Sequence, residues 1–228
     1  MKNKVDRLRV AIDGPAASGK NTLAKQIAKK YKLLHLDSGK LYRYFALQVY
    51  QSKDQKVNYP KLKQSLKKLT LKKLKDKRLT TEPVTKIASI ISKKKRIRQM
   101  LKKVQHNLAY NPPKKFKGSI LDGRDIGTVI MPDAHVKVYL TASLNVRAMR
   151  RYKEYKKLKI KTTLSKVKSD IKKRDYEDTH RKISSLKPAK DAVLLDSSFY
   201  NTKAAFVEID KVIRNEIKRL NATKHKSL

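Results

Sequence analysis

Residues Gly14, Pro15, Ala16, Ala17, Ser18, Gly19, Lys20, Asn21 and Thr22 put two glycines, a lysine and two hydroxyls at a spacing that suits phosphate. Glycines let successive backbone N–H groups turn toward one point. A helix beginning just beyond adds its positive end, and together they make a concave nest for an anion. Lys20 is placed to reach the β- and γ-phosphates of a nucleotide, and the Thr22 hydroxyl, before that of Ser18, to support Mg²⁺. The general form is Gly-x-x-x-x-Gly-Lys followed at once by Ser or Thr. Here Asn21 takes that place and the hydroxyl comes one residue later. The rival reading is a glycine turn with an incidental lysine.

Glycine is scarce elsewhere. Of six in the chain, five fall in three polar clusters, GPAASGK, LDSGKLYR and LDGRDIGT. Glycine belongs where the backbone needs positive φ or must approach a ligand closely, so the clustering points to a shared site. Arginine is also selective: in a chain dominated by lysine, Arg43, Arg124, Arg174 and Arg181 stand inside these clusters or in the later stretch RDYEDTHR. A planar guanidinium grips two phosphate oxygens at once, which an ammonium does not. Phosphoryl transfer asks for two phosphates held in line with their charge neutralised, and for little covalent help. Other charged residues have plainer readings. Asp37, Asp122 and Asp196 end strand-like runs and suit turn or helix caps. Arg98 lies on a helical pattern, where a lone arginine usually faces solvent. Arg147, Arg150 and Arg151 begin a helix, with either one of them on nucleotide phosphates or all on the surface.

The elements that must carry these groups are legible in the hydrophobic pattern. LRVAID (8–13), YKLLHLD (31–37), SILD (119–122), VKVYLTA (136–142) and AVLLDSS (192–198) are continuous apolar runs of strand length, as expected of parallel strands buried on both faces. Residues 20–31 and 205–220 repeat apolar positions at helical spacing. Strands alternating with helices predict an α/β fold, and ligands in such folds gather at the carboxyl ends of the strands, where the three glycine clusters lie.

Composition sets the outer bounds. The chain has 228 residues and no cysteine, which excludes disulfides and thiolate metal sites. Its five histidines are scattered without ligand spacing. The N-terminus MKNKVDRLRV lacks a signal-peptide core and no segment approaches a membrane span, so a cytoplasmic protein without a membrane partner is expected. The net charge is +40. Residues 51–79 and 151–174 each hold eleven Lys and Arg against two acids, so the excess is spread along the chain. No aromatic stacking pattern accompanies it, and solvated lysine-rich helix faces explain it better than a dedicated nucleic-acid surface.

GPAASGKNT, LDSGKLYR, LDGRDIGTVIMPDA and RDYEDTHR, in that order, closely resemble the bacterial cytidylate kinase family of nucleoside monophosphate kinases, over about residues 8–215 and least clearly over 50–80. The resemblance implies a P-loop NTPase core with a five-stranded parallel sheet (5–42, 111–151 and 189–222), an acceptor-binding insertion over 43–110 and a lid over 152–188. It implies a monomer that transfers the γ-phosphate of ATP, with Mg²⁺, to CMP or dCMP. By the same resemblance Gly14 to Thr22 hold ATP. Ser38 and Arg43 approach the acceptor phosphate, with Tyr42 in the same motif, and Ser89 and Arg98 face the cytosine. Arg124 approaches the acceptor phosphate and Asp125 the base, while Arg174, Asp178 and Arg181 bind ribose and phosphates from the lid. A carboxylate at Asp125 suits the amino group of cytosine and repels the carbonyl of uracil. Lys20, Arg124, Arg174 and Arg181 are then the groups that stabilise the transferring phosphoryl. The chain departs from the family pattern at Asn21, at Glu177 and Thr179 where relatives often carry arginine, and at Ser184–Ser185 in place of a proline. Over 57–83 a small antiparallel sheet looks reduced to lysine-rich helix with at most a short strand. A kinase for another small acceptor (UMP, AMP or a metabolite) and a basic nucleic-acid-binding protein are the alternatives.

Overall fold

The computed structural model describes residues 7–225. A five-stranded, all-parallel sheet of order β2-β3-β1-β4-β5 is flanked by helices, which is the P-loop NTPase architecture. Its strands are β1 (Leu8–Asp13), β2 (Leu34–Asp37), β3 (Gly118–Gly123), β4 (Val136–Thr141) and β5 (Val193–Asp196). The central strand β1 runs parallel to β3, with Val10 opposite Ile120, and to β4, with Ile12 opposite Val138. The helices are α1 (Lys20–Tyr31), α2 (Ser38–Tyr50), α3 (Tyr59–Lys67), α4 (Glu82–Ile91), α5 (Lys95–Tyr110), α6 (Leu144–Lys157), α7 (Leu164–His180) and α8 (Thr202–His225).

The chain divides into two compact units. One comprises the chain up to Leu36 and from Leu108 onward, and the other is Asp37–Asn107. In the first unit, Val10, Ile12, Ile120, Val138 and Leu140 of the strands pack with Leu23 and Ile27 of α1 and with Ile209 and Ile213 of α8 in one buried cluster. Each such side chain contributes roughly 1.5–3 kcal/mol by leaving water. The pairing of α1 with α8 is pinned at its rim by Asp210, which accepts from the Tyr31 hydroxyl at 2.8 Å, pairs with Lys30 at 2.6 Å and with Arg214 at 3.1 Å. The second unit is helical. Leu41 and Phe45 of α2 and Val84 and Ile91 of α4 are buried where these helices pack, and Leu74 and Leu79 are buried in short 3₁₀ turns beside them.

Residues 57–83 hold α3, two 3₁₀ turns and the start of α4 and contain no strand, so this lysine-rich stretch is helical, as its reading expects. Their apolar residues fall at helical intervals, and Asn58 caps α3 by accepting from the Lys61 N–H at 3.0 Å. Strand β5 is not buried on both faces: Val193 and Leu194 are 42% and 66% exposed. It is an outer strand, so its apolar run marks strand propensity rather than burial.

The Asp210 clasp is testable. Replacing Tyr31 with Phe removes one partly buried hydrogen bond and should lower the free energy of unfolding by about 1 kcal/mol. Urea denaturation of the two proteins side by side measures it.

Candidate active site

The loop between β1 and α1 is shaped by backbone constraints. Gly14 has φ +150°, and a Cβ there would lie 2.0 Å from the Leu140 carbonyl oxygen, so only glycine lets the end of β1 pass β4. Gly19 is left-handed at φ +97° and starts α1 with no side-chain cap and no acid in the first turn. The opening N–H groups of α1 therefore present their partial positive charge toward the loop.

Lys20 is buried at the start of α1, and its Nζ donates to the Pro15 carbonyl at 2.6 Å and the Ser18 hydroxyl at 3.1 Å. Burial, with the nearby charges of Arg124 and Arg174, holds its ammonium well below the usual lysine pKa against the opposing pull of Asp122 and Asp13. Arg124, just after β3, is half-buried. Its Nε donates to Asp178 Oδ2 on α7 at 2.8 Å and its Nη1 to the Gly123 carbonyl at 3.3 Å. Arg181 donates to Asp178 Oδ1 at 3.3 Å and to the Ser184 carbonyl at 2.6 Å. Burial alone would raise the Asp178 carboxyl, but Arg124, Arg174 and Arg181 outweigh it and hold the group below the usual range. Lys20, Arg124, Arg174, Asp178 and Arg181 thus share one electrostatic neighbourhood within the first unit. Asp125 is buried, and its carbonyl accepts from the N–H groups of Val129 at 2.9 Å and Ile130 at 3.2 Å in a short π-helix over Ile126–Ile130. Thr22 is exposed on the first turn of α1, while Asn21 is half-buried.

The remaining predicted residues lie in the second unit. Ser38 is buried at the start of α2. One turn on, the Tyr42 ring lies under the Arg98 guanidinium, 5.6 Å from its centroid, and Arg43 sits 4.0 Å from Asp37. Arg98 is buried, contrary to the solvent-facing reading, and donates to the Ser92 carbonyl at 3.3 Å. Ser89 is half-buried on α4, and its carbonyl accepts from the Ser92 hydroxyl.

Two arginines expected on phosphate or on the surface do something else. Arg147 is buried and donates to the carbonyls of Ala142 at 2.7 Å and Ala16 at 3.1 Å and to Asp175. Arg150 donates to the carbonyls of Ser18 at 3.3 Å and Ser197 at 2.7 Å. Both brace the phosphate loop from behind. Arg151 pairs with Glu154 at 3.1 Å on the same helix. Of the three strand-end aspartates, Asp196 is a turn cap, accepting from the Ser198 N–H at 2.8 Å. Asp122 is instead buried against His35 Nε2 at 2.7 Å. Asp37 precedes α2 without a side-chain cap bond.

Nothing in the spacing singles out Asp13, His35, Asp175 or Arg147, each of which shapes the site. Asp13 ends β1, is buried, and accepts from the N–H groups of Ile126 at 2.8 Å and Gly127 at 2.7 Å, which ties the loop carrying Asp125 to the sheet. Burial pushes its carboxyl up to about 6, against the two N–H donors and with a further push from Asp125. The only sequence signal was position: an acid directly before Gly14, and another directly after Arg174.

The family model described as cytidylate kinase matches residues 10–218. A cytidylate kinase of Streptococcus mutans serotype c is 38% identical over 93% of this chain and 98% of its own length. One from Bradyrhizobium diazoefficiens is 43% identical over 83% of this chain and 87% of its own. Among solved structures, an uncharacterized protein from Eubacterium ventriosum superposes with TM-score 0.54 at 13% identity, covering 91% of this chain and 98% of that one, which speaks to the fold alone. No helix among the described residues is long and apolar enough to cross a membrane.

Two measurements probe this construction. Arg147→Met keeps length but leaves the half-buried Asp175 without its cation, and should cost on the order of 2–3 kcal/mol of stability in chemical denaturation. Asp13 titrates near 6 in the folded protein against 3.8 as an ordinary carboxyl. Between these values the native state holds the extra proton, so this group's contribution to stability is present in full at low pH and is lost as pH rises through about 6. Relative to Asp13→Asn, the wild-type protein should therefore lose roughly 2 kcal/mol of stability from pH 4 to pH 7. A pH-independent difference would show that Asp13 does not titrate in this window.

Proposed function

The chain belongs to the cytidylate kinase family, and from that premise we propose that it transfers the γ-phosphate of ATP to CMP or dCMP, giving ADP and CDP or dCDP. The observation that carries the reading is the nearness of Arg124 and Arg174 to the buried Lys20, beside a glycine loop that opens α1 without a side-chain cap. Such a neighbourhood favours a polyphosphate, whose charge relieves the mutual repulsion of the cations.

On this reading the Gly14–Thr22 loop holds the ATP phosphates. Lys20 turns its Nζ from two neutral acceptors, the Pro15 carbonyl and the Ser18 hydroxyl, to the anionic oxygens of the β- and γ-phosphates, a charge-assisted exchange. Arg124, Arg174 and Arg181 neutralise charge on the transferring phosphoryl and on the acceptor phosphate. Ser38, Tyr42, Arg43, Ser89 and Arg98 of the second unit, with Asp125 and Asp178, recognise the acceptor, Asp125 by accepting from the cytosine amino group. The second unit is the acceptor-binding part, and α7 with the end of α6 is the lid. No covalent intermediate forms. Mg²⁺ would arrive on the nucleotide phosphates, where it would neutralise charge, with the exposed Thr22 hydroxyl as its protein-side support. The enzyme acts as a cytoplasmic monomer.

Lys20→Ala should reduce turnover by about a hundredfold or more with the unfolding midpoint little changed. Near-normal turnover in that variant would remove the mechanism. ADP formed with CMP, dCMP, UMP and AMP as acceptors reads the specificity. A strong response to the two cytosine nucleotides and a weak one to the others is expected, and Asp125→Ala should lower activity on CMP more than it alters ATP binding.

A further inference from the structure

The lid helix α7 carries two carboxylates one turn apart that face different partners. Asp178 meets Arg124 and Arg181, as described. Asp175 reaches the phosphate loop itself: its Oδ1 accepts from the backbone N–H of Ala16 at 3.1 Å, and its Oδ2 pairs with Arg147. The same Arg147 donates to the carbonyl of Ala16 at 3.1 Å and to that of Ala142, at the end of β4, at 2.7 Å. Both polar groups of residue Ala16 are therefore held by one ion pair, its N–H from α7 and its C=O from α6. Around this bracket Ala16 itself, Ala148 of α6 and Val167 and Ile171 of α7 form a separate small buried cluster.

This arrangement has two consequences. The Ala16 N–H is aimed at a protein carboxylate, so it is withdrawn from the set of loop amides that face phosphate. A negative group next to a phosphate cradle is unfavourable for an anion unless a cation neutralises it, and Arg147 supplies that cation in a site where both partners are shielded from water (side chains 9% and 19% exposed). A shift of α7 moves Asp175 and Asp178 together, because they share one helix turn.

We propose that Asp175 is a positioning residue that couples acceptor binding on α7 to the shape of the ATP loop. The inference rests on the kinase reading above. Arg174, Asp178 and Arg181, once they hold the acceptor, keep Asp175 seated against Ala16. The loop then holds the conformation that receives ATP, and each substrate tightens the other.

The test uses full-length protein and two titrations. The dissociation constant of a β,γ-imido analogue of ATP with Mg²⁺ is measured by calorimetry with and without saturating CMP, for wild type and for Asp175→Ala. In wild type CMP should tighten the analogue by at least about fivefold, and the analogue should tighten CMP by the same factor, as linkage requires. In Asp175→Ala that ratio should fall below about twofold, while CMP binding to the free variant stays within about threefold of wild type. Asp175→Asn, whose Oδ1 still accepts the Ala16 N–H but whose charge is gone, should give an intermediate ratio, and it serves if the alanine variant does not fold. An unchanged ratio in the variants makes Asp175 a fold contact only and overturns the proposal. So does a wild-type ratio of one in a protein that still phosphorylates CMP, an outcome that leaves the kinase reading standing. Failure of wild type to form ADP with any nucleoside monophosphate removes both.

Discussion

Everything at this site follows from the difficulty of keeping several cations close together away from water. Burial first, and then the charges of Arg124 and Arg174, weaken the hold of Lys20 on its proton. The fold tolerates this because carboxylates are dealt out around them: Asp122 and Asp13 near Lys20, and Asp178 against Arg124. The Lys20 ammonium itself is bonded to the neutral Pro15 carbonyl and Ser18 hydroxyl, and exchanging these for phosphate oxygens is the gain a nucleotide offers.

The fold was largely readable because its signals are local. Continuous apolar runs and glycine clusters at their ends are enough to place five strands and the loops at their carboxyl edges, and α1 begins and ends where its apolar repeat does, at Lys20 and Tyr31. What stayed hidden is long-range. Asp13 and Asp175 look like ordinary strand-end and helix-surface acids, and their partners lie more than a hundred residues away at Gly127 and Ala16. Arg147 reads as a surface or phosphate-facing residue because it opens a helix with Arg150 and Arg151, and only the convergence of Ala16, Ala142 and Asp175 on it makes it a core residue. Arg98, which its helical pattern alone would turn to solvent, is buried as well. Hydrophobic periodicity cannot announce a buried guanidinium, because burial there depends on carbonyls supplied by distant chain.

The lysine excess has a bland structural counterpart. Lys63, Lys67, Lys68, Lys72, Lys75 and Lys77 of the second unit are exposed, on α3 or in the turns that follow it. The apolar positions between them, Leu62, Leu74 and Leu79, turn inward. The pattern is an amphipathic one with a strongly cationic outer face, and it needs no ligand to be stable.

That outer charge bears on strand β5. With Leu194 66% exposed and Phe199 97% exposed, the margin of the sheet offers greasy, strand-forming backbone to any second molecule that reaches it. Forty net positive charges keep like molecules apart at low ionic strength. Near molar salt, where the screening length falls to about 3 Å, that barrier collapses. Colloidal behaviour is thus set by counterions, and clumping along the β5 margin is the penalty for stripping the electrostatic coat.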